Sequence, residues 1–218
     1  MRITGNRLWR FLCLGLLAGQ PALTEAAALP AVEQVIQHQF PAQQARLQAL
    51  TDALFSEYQQ RHNVVSLIFY AYGMLQLADR FTAENKLIKA AEYARTGFFY
   101  LDEAAEQHET DARVRYLRAR LDAWLPATLG RCVITLSDTQ FILETPLAFD
   151  REIRSAVQYM RYRALYSCQQ YRQAAALLAQ LKQQHPQFAW LGLAQNAAPV
   201  WRPQEIMQTV WPLTGGQR

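Results

Sequence analysis

Soft metal ligands are few in this chain, which has four histidines and three cysteines in 218 residues. His38, His62, His108 and His185 lie far apart, and none belongs to a His-Glu-x-x-His arrangement. Three of them fall near predicted helix ends, where histidine more often caps or meets water than ligates, so neither a metal nor a cofactor is expected. A phosphate-cradling glycine loop, a Gly-x-Ser-x-Gly elbow and a Cys-His signature are also missing, which leaves nucleotide and nucleophile chemistry without a motif. Asp102, Glu103 and Glu106 offer carboxylates, but consecutive residues point apart on a helix and read as its wet face. An excess of charge of one sign is missing too, and with it the basic stripe of a nucleic-acid binder. No apolar run approaches the roughly 20 residues of a membrane-spanning helix.

What is present begins with an export pattern. Arg2, Arg7 and Arg10 precede an apolar run from Phe11 to Ala18, broken by Gly19, Gln20 and Pro21, and Ala26, Ala27 and Ala28 follow. That order of basic, apolar and small residues predicts a cleavable signal peptide over 1–28 and a periplasmic product without a stable membrane span. Cys13 lacks the small residues that precede a lipidated cysteine. Removing Arg2, Arg7, Arg10 and Glu25 from 22 basic and 18 acidic residues leaves 19 and 17, a net of +2. This balance argues against nucleic acid as a partner.

Beyond residue 28, apolar residues recur with helical period, and few segments alternate as half-buried strands do. Leu47, Leu50, Leu54 and Tyr58 form a first stripe after Pro41, which suits a first helical turn. His62 and Asn63 break it. From Val64 to Leu77 nearly every side is apolar, which predicts a central helix. A long helix is expected over Ala83 to His108, with Gly97 where helices approach closely, and another from Val114 to Leu125 ended by Pro126 and Gly130. Arg131 to Thr145 contains good strand residues, but a lone strand would leave its backbone unpaired, so it is assigned as helix. Stripes at Ile153 to Ala164 and Ala174 to Leu181 complete the pairs. The stretch 29–196 reads as one helical domain, and 197–218 as an irregular tail docked by tryptophans, with a short helix at Gln204 to Val210.

Cys132 and Cys168 remain after export. In an oxidising compartment they are a candidate disulfide, and two buried free thiols are the alternative. Two clusters suit partner binding. Arg113, Tyr116, Arg118 and Arg120 crowd one helix, where their forked guanidinium groups would grip a partner's carboxylates; the bland reading is a solvated face, with Arg118 paired to Asp122. Tyr159, Tyr162, Arg163 and Tyr166 line another helix, and tyrosine with arginine is enriched where proteins meet partners. Their bland reading is a widened packing face.

Tyr171, Ala174, Leu178, Leu181 and Pro186 have the spacing of the second half of a tetratricopeptide repeat, and residues 89–121 look like a repeat junction. The chain therefore resembles a divergent tetratricopeptide-repeat protein over about residues 60–190. Tyr162 departs from the pattern, and no regular 34-residue period runs through. The resemblance implies an all-α fold of antiparallel helix pairs stacked as a short α-solenoid. It also implies a noncatalytic adaptor or assembly factor that binds a protein or peptide in the bacterial envelope. The alternatives are an accessory substrate-binding subunit of an envelope transporter, which needs a cavity walled by tyrosine and arginine, and an envelope hydrolase, which needs converging acid and base groups.

Overall fold

A computed structural model describes residues 28–146, 149–193 and 197–215, so the predicted signal peptide and Cys13 lie outside the described residues apart from Ala28. Among the described residues there are nine α-helices and no strand. They are α1 (Pro30–His38), α2 (Gln44–Arg61), α3 (Val64–Ala83), α4 (Leu87–Gln107), α5 (Ala112–Asp122), α6 (Cys132–Glu144), α7 (Arg151–Ser167), α8 (Tyr171–Gln184) and α9 (Pro203–Thr209). Helices adjacent in sequence pack on one another from α2 to α8, most extensively α3 with α4 and least extensively α4 with α5. In addition α3, α5 and α7 touch in succession.

The centre is α3. Fifteen of its 20 residues are buried, which follows from an apolar residue on nearly every side. Asn63 caps it by accepting from the amides of Val65 and Ser66, after His62 has left the helical region at φ 52°. The α3 helix runs six residues past the predicted end at Leu77. Its stop is chemical: Asn85 takes φ 58°, the Lys86 amide donates to the Phe81 carbonyl, and the Asn85 amide donates to the Thr82 carbonyl, an αL closure that satisfies orphan carbonyls. The single helix expected from Ala83 therefore begins at Leu87 instead.

At Gly97, α4 comes close to α3. A Cβ there would lie 2.8 Å from Leu75 Cγ and 3.1 Å from the Ala71 carbonyl oxygen, so only glycine admits this approach. Pro41 lies before α2 rather than in its first turn. The α1 helix has no counterpart in the sequence reading. It is held by Glu57 of α2, which accepts from the amides of Ala31 (2.8 Å) and Val32 (3.4 Å) and from the Ser66 hydroxyl (2.7 Å). A carboxylate there satisfies orphan amides at the positive end of the helix.

The α6 segment is helical despite Val133, Ile134 and Thr135. The hydroxyls of Thr135, Thr139 and Thr145 turn back to the carbonyls four residues earlier, so the polar branches find partners inside the helix. Cys132 at its start is bonded to Cys168 just past the end of α7, with Cα atoms 5.6 Å apart. That bond ties the two antiparallel helices at one end.

Candidate functional site

Two charged networks leave opposite sides of α5. On one side, Arg115 and Arg118 both donate to Asp138 of α6, at 2.9 Å and 2.8 Å, and Arg118 also reaches Asp102 of α4 at 3.2 Å. Arg131 joins them, donating to Asp102 at 2.7 and 2.8 Å and to Asp122 at 3.0 Å. Asp122 therefore pairs with Arg131, not with Arg118 as its spacing suggests. Burial pushes the Asp122 carboxyl up to about 7, opposed by the hydrogen bonds from Arg131. Asp102, assigned to a wet face by sequence, belongs to this network. Charged side chains thus join α4, α5 and α6 beside the apolar contacts of the shared core, to which Leu101, Leu117 and Ile142 belong.

On the other side lies the segment 197–215. Arg120 and Glu205 are both buried, and the Arg120 Nε donates to Glu205 Oε1 at 2.5 Å. The Tyr116 hydroxyl donates to the same oxygen at 2.8 Å. The Arg120 guanidinium carbon also sits 3.5 Å from the centroid of Trp201, whose ring meets Phe69 of α3 edge-on. The Arg113 Nε donates to the Gln208 carbonyl at 3.0 Å. The segment continues onto α7, where Gln208 bonds to Asp150 and Arg202 pairs with Glu152. At its far end the Leu213 carbonyl accepts from the Asn63 side chain at 2.8 Å.

The proposed arginine cluster is thus spent on the chain itself. Tyr116 and Arg120 are buried beneath the segment, Arg118 is committed to Asp138, and Arg113 is half-buried. In the second cluster Tyr159 is buried among the rings of Trp124, Tyr162, Phe188 and Trp190. Tyr162 is half-buried, and Arg163 donates to the Ala123 carbonyl at 2.8 Å and covers the Trp124 ring. Tyr116, Arg120 and Tyr159 therefore stand behind the surface on which the sequence reading places them. Of the eight residues only Tyr166 is exposed (49%), its ring edge against Tyr171.

The sequence reading missed Glu205, Asp138 and Arg131, and it expected Trp201 only as one of the tryptophans that dock the tail. Only Trp201 gave a signal, as an aromatic residue among prolines. Each of the four histidines ends a helix or lies just past one. Among the described residues, no group of three or more His, Cys, Asp or Glu side chains could hold a metal ion, and no helix is long and apolar enough to cross a membrane. A cleft of about 400 Å³ opens between the start of α7 and the stretch after α8, lined among others by Arg151, Glu152, His185, Phe188 and Arg202, without a tyrosine. No family model, curated protein or solved structure matches this chain.

Proposed function

We propose that this protein is an exported, noncatalytic scaffold, tetratricopeptide-like in its stacking of helix pairs, that binds a protein or peptide partner in the bacterial envelope as an adaptor or assembly factor. The observation that carries this reading is the course of segment 197–215. The α3, α5 and α7 helices together hold a partly irregular stretch of chain through side chains that project from one face of the array. A surface able to hold such a stretch has the donors and the apolar wells that recognition of a peptide requires. Exposed Ile88 (90%), Phe99 (61%) and Tyr166 supply further apolar contact points outside that face.

Cell fractionation combined with a photo-crosslinking amino acid placed in turn at Ile88, Phe99 and Tyr166 tests the reading. A discrete adduct with one protein in the envelope fraction is expected from at least one position. Retention in the cytoplasm, with no adduct from any position, would overturn it.

A further inference from the structure

Segment 197–215 is fastened to residues 50 to 150 positions away in sequence, and its attachments are of the kind a ligand would make. Its backbone is gripped at four carbonyls by side chains of the helices and their ends. Arg120 Nη2 donates to Pro199 at 2.9 Å, Trp124 Nε1 to Ala197 at 2.7 Å, Arg113 to Gln208 and Asn63 to Leu213. Such contacts hold a backbone without demanding a particular side chain. Side-chain recognition adds the Gln208–Asp150 and Arg202–Glu152 contacts on α7 and, in the buried centre, Arg120, which faces Trp201 with its flat surface and Glu205 with its edge while Tyr116 donates to the same carboxylate. Trp201 and Glu205 are four residues apart, and Glu205 is the one acidic residue of the segment.

A tail needed only to close the core would do as well with an apolar plug at that point, because desolvating a buried ion pair costs about what the pair returns. A charged and stacked grip instead discriminates between segments, since an occupant without the carboxylate leaves Arg120 buried and unpaired. We infer that the track along α3, α5 and α7 is a peptide-binding site occupied by the chain's own residues 197–215. The external partner it fits is a segment that presents an aromatic side chain four residues ahead of a carboxylate in a short helix. Occupant and partner exclude one another, so the C-terminal segment is an autoinhibitory contact. This inference rests on the scaffold reading above.

The test uses the full chain with a protease site introduced after Leu193, and a fluorescent peptide of residues 197–215 as probe. The peptide is expected to bind the cut protein at least 100-fold more tightly than the uncut protein, where the tethered segment competes at high effective concentration. Changing Glu205→Gln in the peptide should weaken binding at least tenfold. In a second, uncut variant the same substitution in the chain should raise affinity for the unaltered peptide at least tenfold with helical content retained. Equal binding of the two peptides would overturn the inference, and so would loss of helical circular dichroism in the cut protein or in the Glu205→Gln chain. Any of these failures leaves the scaffold reading to the cross-links at Ile88, Phe99 and Tyr166, which lie elsewhere.

Discussion

Arg120 and Glu205, 85 residues apart in sequence, form a buried ion pair beneath the Trp201 ring. Removing one member leaves the other charged in a site closed to water. Arg120→Ala is expected to cost about 3–5 kcal/mol in urea unfolding, and Arg120→Met combined with Glu205→Leu should recover most of that loss. A single-mutant loss below about 1 kcal/mol would show that water reaches the pair.

The Cys132–Cys168 bond closes a loop with a sequence separation of 36. Chain entropy alone gives about 4 kcal/mol for a loop of that size. Cys132→Ser with Cys168→Ser should therefore lower unfolding stability by about 2–4 kcal/mol. The α6–α7 end should be the first part to lose amide-exchange protection, because the tie acts there.

Gly97→Ala forces a methyl group against Leu75 and the Ala71 carbonyl. The helix propensity of alanine favours the change by about 1 kcal/mol, but overpacking costs typically 1–3 kcal/mol. A net fall in melting temperature is expected, with the opposite outcome if α3 and α4 can separate without loss.

Burial raises the hydroxyl pKa of Tyr70 to about 12, and burial likewise raises Tyr72 and Tyr116. These values exceed the unfolded value of about 10, so the folded chain keeps protons that the unfolded chain releases. Their contribution is whole below pH 10 and is lost as the pH climbs through 10 toward 12. Absorbance at 295 nm should show these three hydroxyls ionising only with unfolding, at a pH where exposed tyrosines have already titrated.

Much of the helical layout was legible, for particular reasons. The α3 helix declared itself because apolar residues surround it, the break at His62 and Asn63 because a left-handed residue and a cap stand together, and Gly97 because it lies on an alanine-rich stripe. The α1 helix was not legible. Its stability comes from Glu57, a carboxylate of another helix, and nothing local in its nine residues reports that. The stop of α3 at Asn85 escaped for the opposite reason: continuing helical periodicity on both sides hides a turn of three residues. The arginines of α5 read from sequence as a solvated face or as grips for a partner's carboxylates, whereas they bind Asp102, Asp138 and Glu205, which come from three different elements of the chain itself. Pairing of that range is a property of the packed chain. Whether such a guanidinium faces outward or inward depends on what lies over it.

The start of α3 receives both extremities of the described chain. Ser66 reaches the carboxylate that fixes α1, and Asn63, three residues before it, holds the carbonyl of Leu213. Arrays of stacked units commonly melt inward from free ends, since each unit leans only on its neighbours. Here the first and last turns share a single clasp, which makes the row of helices a closed circuit. Loosening residues 63–66 would release head and foot together.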